Sequence, residues 1–304
     1  MKRNILICLI VLVVSFAYSG TFNSVMENDL IAETDRNYTH GTRLSYVFDD
    51  AVLWPESIYK NSKKRDGIAL AQHMYTSSNI RIEELMENDR PYGGWLYLGY
   101  SLFARRDNWL DYLELDIGVT GPASLSKGNQ KFINKVVGSS DPKGWEHQIP
   151  TRFGINLVYQ KKYRVRHKDY VDLIPHGGGC LGNTFSYLNV GATLRAGYNL
   201  PDNFGALKME PTAREERGLK DDVGIYVFGG MEQKYMAKNL FLDDKYVKEN
   251  FSITKNDFVG DLEVGVGFIF KSCEIIYGYT IRGKEFREQD GKARFGTLMF
   301  VTSF

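Results

Sequence analysis

Beyond its first segment the chain has no run of about 18 apolar residues, which excludes a helical membrane span in the mature protein. Nor is there a surplus of charge: 38 basic against 37 acidic residues leave no basic excess to attract nucleic acid. Cysteine is scarce, at three. Cys8 lies early in an N-terminal apolar core, away from any cleavage point, which argues against a lipid-modified N-terminus. Cys180 and Cys273 remain, in an exported setting that permits a disulfide without requiring one. Both read as unpaired, Cys180 in a Gly-rich loop and Cys273 in an alternating strand. No Gly-x-Ser-x-Gly elbow supports a serine hydrolase. No internal repeat or low-complexity linker divides the chain, which reads as one domain.

Residues 1–19 have the layout of a secretory signal, with Lys2 and Arg3 in front, Ile5 to Ala17 as the apolar core and Ala17-Tyr18-Ser19 as a small-x-small cleavage site. The mature domain is then expected over residues 20–304. Aromatic residues make up 13% of the sequence, with 19 Tyr and 18 Phe, and there are 30 Gly. That mix suits a large β-protein with aromatic girdles.

Alternation carries the argument further. Leu113, Leu115, Ile117 and Val119 face one way, while Glu114, Asp116 and Gly118 face the other. Val190, Ala192 and Leu194 oppose Asn189, Thr193 and Arg195; Leu262, Val264, Val266 and Phe268 oppose Asp261, Glu263, Gly265 and Gly267. So many charges cannot all enter a soluble sandwich core. They fit a polar lumen, with the apolar face turned to lipid. The end of the chain, Leu298 to Phe304, also alternates and closes on an aromatic.

Strand starts fall near residues 21, 41, 66, 95, 111, 152, 168, 187, 222, 258, 273 and 294. The expected fold is therefore all-β, an antiparallel transmembrane β-barrel of about twelve strands, the even number that brings both ends to one side. Outer loops become residues 29–40, 76–94, 121–151, 177–186, 236–257 and 284–293. The stretches 49–65 and 199–221 are long for inner turns. Gln130 to Val137 predicts a short helix in the longest outer loop, with Phe132, Ile133, Val136 and Val137 as its apolar stripe.

At the first outer loop stands a polar cluster, Glu27-Asn28-Asp29-Leu30 followed by Asp35-Arg36-Asn37-Tyr38-Thr39-His40-Gly41. It gathers oxygen donors of the kind a hard cation such as calcium takes. Taken alone, such a run equally describes a hairpin loop rich in turn-forming Asn and Asp.

These residues, with Gln72, Met74-Tyr75-Thr76, Asp89-Arg90-Pro91-Tyr92-Gly93-Gly94-Trp95, Gly118 to Pro122 and Gly144-Trp145-Glu146-His147-Gln148, resemble the lipid A 3'-O-deacylase family of outer-membrane proteins. The match spans most of the mature chain in order. The resemblance implies a twelve-stranded barrel in the bacterial outer membrane that hydrolyses the 3'-linked acyl ester of lipid A with calcium, its site facing the outer leaflet where lipopolysaccharide resides. It implies Asn28, Asp29 and Thr39 as active-site residues, with Gln130 on a covering helix. In those positions Asp29 would hold calcium, Asn28 would donate to an oxyanion, and Thr39 would orient a ligand or water. Arg81 and Arg90 are the candidates for pairing with lipid A phosphates.

One position departs from the family pattern. Asn134 stands where the family's catalytic histidine is expected, and an amide has no useful basicity near neutral pH. Ser140 stands where some members carry an acid, with Asp141 beside it. His147 is a possible substitute base, although its place in the rim loop fits a structural residue better. Strand alternation turns His40 away from the face of Thr39. The alternatives are a barrel that binds lipid A without cutting it, or a channel; the channel leaves the rim motifs without a reason.

Overall fold

The computed structural model describes residues 19–29, 37–51, 59–137, 141–167, 169–205 and 222–304. The expected signal segment, apart from Ser19, lies outside them, as do Asp35, Arg36 and Ser140. Thirteen strand segments form one antiparallel sheet: β1 (Gly20–Asn28), β2 (Asn37–Phe48), β3 (Lys63–Thr76), β4 (Gly93–Arg106), β5 (Trp109–Thr120), β6 (Phe153–Tyr163), β7 (Val165–His167), β8 (Val171–Gly182), β9 (Phe185–Tyr198), β10 (Val223–Asn239), β11 (Phe258–Phe270), β12 (Cys273–Arg282) and β13 (Ala293–Ser303). The strand interrupted at Arg164 resumes as β7, and both parts pair with β8. The sheet is thus a closed barrel of twelve staves, as the even strand count anticipated. Closure leaves no unpaired edge, the condition for a sheet to cross a bilayer. Among the described residues no helix is long and apolar enough to do so.

One expected loop is corrected. Residues 177–186 were expected outside the wall, but β8 and β9 run through them and turn only at Asn183 and Thr184. The run Gly177-Gly178-Gly179 reads as loop by propensity, yet a Cβ on Gly178 would come within 2.0 Å of the Tyr159 carbonyl oxygen. Bare backbone is what lets β8 close against β6. Cys180 is therefore a buried strand residue; it and Cys273 are both free thiols.

The wall separates its faces as the alternation requires. Leu98, Leu188, Val190, Leu262 and Val264 are exposed on the outside. Asn189, Thr193, Asp261 and Glu263 are buried within. Lumenal charges are paired: Arg43 donates two hydrogen bonds to Glu114, at 2.8 and 2.6 Å, and Arg195 donates to both carboxylate oxygens of Asp172, at 2.9 and 2.6 Å. Exposed aromatics gather at both strand ends, Trp109, Tyr170, Tyr198 and Phe270 at the inner rim, Phe153, Tyr235 and Phe258 at the outer. These are the two interfacial girdles of a membrane barrel.

Folded segments close both mouths. At the inner end, the beginning of the long turn after β9 buries Leu200 and Phe204. Arg105 and Arg164 each lie 5.2 Å from the Phe204 ring centre, and both pair with Asp202. At the outer end, two short helices, Leu240–Asp243 and Lys245–Asn250, drive Phe241 and Val247 into a cluster with Tyr38, Tyr75, Trp95 and Tyr97. Between the two plugs remains a cavity of about 210 Å³, bordered by Glu27, Tyr38, Arg43, His73, Tyr97 and Glu114 among others.

Candidate functional site on the outer wall

The polar cluster of the first loop is divided by the wall: Glu27 and Tyr38 border that cavity, and Asn28, Thr39 and His40 lie on the opposite side. Glu27 faces the lumen, where its carboxylate accepts from the Tyr38 hydroxyl at 2.6 Å. Asn28, the next residue along the strand, therefore faces outward. Outward too are Met74 and Thr76, since His73 and Tyr75 border the lumen. Yet Asn28, Met74 and Thr76 are buried, unlike the lipid-exposed residues lower on the wall. Something covers the outside of the barrel here.

A β-bulge at Thr39 shapes the centre of the site. Tyr38 pairs with Tyr75 and His40 with Met74, so Thr39 is left out of the register. The extra residue allows Tyr38 to enter the lumen while His40 turns outward beside Asn28. The alternation expectation for His40 is thus corrected: Thr39 and His40 both point outward. His40 Nδ1 lies 3.2 Å from Asn28 Nδ2, and Thr39 Oγ1 is 2.6 Å from Thr76 Oγ1. The Asp29 backbone N–H donates to the Thr39 carbonyl at 3.4 Å, bringing the fully buried Asp29 to the same place.

The cover is the expected rim helix, α1 (Ser126–Val137), preceded by a 3-10 turn (Gly121–Ser124). Gln72, an amide among the outward positions of β3, grips both ends of this join. Its Nε2 donates to the Ser124 carbonyl at 2.5 Å, and its Oε1 accepts from Asn129 Nδ2 at 2.9 Å. The helix can sit this low because residue 94 is glycine: a Cβ there would lie 1.9 Å from Ser126 Oγ and 2.2 Å from Ser124 Oγ. Between turn and helix, Leu125 holds a left-handed φ of 61°, unusual for a branched side chain, and is exposed.

The described residues of α1 bury a polar stripe. Its buried face carries Ser126, Gln130 and Asn134, at the i, i+4, i+8 spacing of one helical stripe. Phe132, a member of the expected apolar stripe, is 63% exposed, and Leu125 just before the helix is exposed too. The side chains of Val136 and Val137 lie outside the described residues. Gln130 Oε1 accepts from the buried Trp145 indole at 2.7 Å, which ties the helix to the 3-10 turn Gly144–His147. Lys127 pairs with Glu146 on the same surface, and that hydrogen bond holds the Glu146 carboxyl below its usual range.

The remaining sequence candidates separate. His147 borders a small cavity with Ser77, Glu84, Arg90 and Tyr92, away from the polar stripe of α1. Arg81 is exposed on the outer surface. Arg90 is buried instead, 2.9 Å from Glu285 and 4.4 Å from the Tyr75 ring centre. Its charge is taken up within the cap, which disagrees with its expected part in phosphate binding.

Oxygen donors dominate the cluster: the Asp29 carboxylate, the Asn28 amide oxygen and the Thr39 and Thr76 hydroxyls. Their chemistry fits a hard cation such as calcium. Among the described residues no group of three or more His, Cys, Asp and Glu stands ready for a metal, so neutral oxygens would supply most of such a shell.

A closed barrel with a lipid-facing wall, and with a buried polar cluster on that wall under a helix, defines an outer-membrane β-barrel protein. The model of the family described as outer membrane protein LpxR matches residues 5–304, and the chain belongs to that family. The solved LpxR from Salmonella typhimurium is 22% identical, covers 93% of this chain and 100% of its own, and superposes with a TM-score of 0.76. Two further barrels are more distant. The β domain of the Bordetella autotransporter BrkA is 11% identical over 94% of this chain and 98% of its own, with a TM-score of 0.46. An outer membrane channel from Pseudomonas putida F1 is 11% identical over 94% and 96%, with a TM-score of 0.46. No curated protein sequence matches the chain.

Proposed function

We propose that the wall-side cleft hydrolyses an acyl ester of an outer-leaflet lipid, the 3'-linked ester of lipid A, with calcium as cofactor, and that Asn134 makes this turnover slow. The observation that carries the reading is the polar stripe that α1 buries. A helix that buries Ser126, Gln130 and Asn134 and exposes Leu125 and Phe132 suits a polar reaction site on one side and lipid on the other.

In this reading Asp29 holds the calcium with help from neighbouring neutral oxygens. The ion, when bound, would polarise the ester carbonyl. Asn28 donates an amide N–H to the developing oxyanion, and Thr39, braced by Thr76, orients a ligand or water. Gln130, fixed by Trp145, keeps α1 in place over the cleft. Arg81 and the Lys131 and Lys135 of α1 are exposed, which suits them to meet lipid A phosphates. Asn134 occupies the general-base position without basicity, so water attack proceeds without that assistance.

A second reading, lipid A binding without cleavage, is favoured by Asn134 alone. The plugged mouths weigh against a channel. Mass spectrometry of lipid A from cells with and without the protein separates these readings. Loss of the 3'-linked acyl chain when it is expressed supports hydrolysis, and unchanged lipid A at high expression with calcium overturns it.

A further inference from the structure

Glu114 and Asp116 lie on the same face of β5, and both border the lumenal cavity. They lean over one point of the neighbouring strand, where Gly99 pairs with Asp116. A Cβ on Gly99 would lie 2.9 Å from Glu114 Oε1 and 3.2 Å from Asp116 Oδ1, so bare backbone makes room for both carboxylates. Only one of them is answered by a cation. Arg43 spends its fork on Glu114, donating at 2.8 and 2.6 Å. Asp116 is 6% exposed, its Oδ1 meets no hydrogen-bond donor, and among the described residues no cation lies within ion-pair distance of it.

We propose that this part of the lumen is a binding site for a small organic cation, a primary ammonium, held by Asp116 with Glu114 beside it. Keeping a buried carboxylate charged without a cation costs several kcal/mol. A water would satisfy its hydrogen bonding but bring no charge. A proton shared between the two carboxyls would leave a single charge for Arg43. An ammonium takes that proton's place and supplies three N–H donors as well, so that two cations face two carboxylates.

Size and lining name the class. The cavity, of about 210 Å³, is roughly seven times the share of one water in the liquid, which is room for a molecule of about five non-hydrogen atoms. Trp95, Tyr97, Tyr112 and Val158 border it on β4, β5 and β6, the strands around the two carboxylates. Such a wall suits a hydrocarbon chain behind the ammonium better than the water shell of an inorganic ion. A metal ion also lacks ligands, since no group of three or more His, Cys, Asp and Glu stands together among the described residues. The site is separate from the cluster on the outer wall and does not depend on the reading given to that cluster.

The test uses the full-length protein in detergent. Equilibrium unfolding in urea is followed with n-butylammonium chloride, with n-butanol as the neutral molecule of the same length, and with potassium chloride at the same ionic strength. An equilibrium reports binding whichever way the ligand enters past the plugs. The amine should raise the unfolding midpoint of wild type in a saturable way, and neither control should. Asp116→Asn keeps the shape of the side chain and removes its charge. It should weaken the amine by roughly 30-fold or more, the usual cost of truncating one partner of a buried charge pair. A measurement on wild type alone places the ligand: nuclear Overhauser contacts should run from the butyl chain to the Trp95 ring. An equal shift with n-butanol or potassium chloride, equal affinity in Asp116→Asn, or contacts confined to the lipid-facing wall overturns the proposal.

Discussion

Arg90 and Glu285, 195 positions apart in sequence, meet at 2.9 Å over the outer mouth of the barrel. The pair fastens the loop between β3 and β4 to the loop between β12 and β13, and Arg90 stacks on the Tyr75 ring below it. Burial raises the affinity of the Glu285 carboxyl for a proton, but the Arg90 and Arg282 guanidiniums overcome it and hold the group below its usual range. The cap is thus an ionic lock on an aromatic plug, and it sits apart from the wall-side cleft.

Breaking this lock from one side should loosen the cap. Arg90→Ala removes the hydrogen-bonded cation of the buried Glu285 and leaves it only the charge of Arg282, a loss of up to about 3–5 kcal/mol by the usual scale for halved buried pairs. Unfolding by urea in detergent, followed by gel mobility without boiling, should register it. If Arg90 instead served lipid phosphate, the variant would weaken lipid A binding and leave the unfolding curve in place. Arg81→Ala should do the reverse, sparing stability.

Acid should act on the same lock. The folded pKa of Glu285 lies below its unfolded value, so its stabilising contribution is complete above the ordinary carboxylate range and is lost as pH falls through the folded value. Proteolysis of the outer loops is the measurement. Cleavage should rise in wild type on acidification below about pH 4, near the unperturbed carboxylate pKa, whereas Glu285→Gln should be cleaved at every pH.

The exposed face of α1 should govern access to substrate in a membrane. Phe132→Ser removes an apolar contact worth about 1.5–3 kcal/mol when fully buried, so activity on lipid A in bilayers should fall by roughly 10- to 100-fold. Lipid A dispersed as single molecules in detergent should be affected far less. An equal loss in both assays would mean that Phe132 packs against protein during catalysis.

Much of the barrel was legible because lipid imposes its demand on every second residue, and Leu262, Val264 and Phe268 answer it in register. Strand starts agree to within four residues, the largest gap being 41 expected against Asn37 observed. The cluster at Asn28, Asp29 and Thr39 was legible through its order in the family pattern. What stayed hidden depends on contacts distant in sequence. The bulge at Thr39 is defined by the register with Met74 and Tyr75, and nothing in Tyr38-Thr39-His40 announces it. Of the apolar stripe expected on α1, Phe132 lies exposed, because an apolar face normally seeks protein and here the solvent is lipid. Arg90 has nothing near it in sequence that names Glu285 as its partner. A local signal did exist for Gln72, a polar side chain between the apolar outward positions Leu70 and Met74 of β3.

Removal of calcium should stop the reaction. Asp29→Ala deletes the carboxylate that the described residues bring to the outward side of the cluster, and loss of metal assistance costs several kcal/mol of transition-state stabilisation. Turnover with excess chelator should therefore match that of Asp29→Ala, and a calcium titration should restore wild type alone. Full activity in chelator rules the metal out.

The departure at position 134 gives the most direct prediction. General-base catalysis contributes roughly 10²- to 10⁴-fold, so Asn134→His should raise deacylation by a factor in that range. The side chain at 134 lies on the buried polar stripe of α1, one turn from Gln130, and histidine differs from asparagine there chiefly by a ring of modest size. The helix itself should survive, since its grip comes from Gln72, Gly94 and Trp145. His147→Ala should leave the wild-type rate unchanged, because His147 faces the loop cavity beside Tyr92 and not the cleft. Wild type, Asn134→His and His147→Ala are compared on purified lipid A with calcium, with release of the 3'-linked fatty acid followed by mass spectrometry. A wild type already at a typical enzyme rate, abolished by His147→Ala, would mean that the base has moved to His147 and that Asn134 is no handicap.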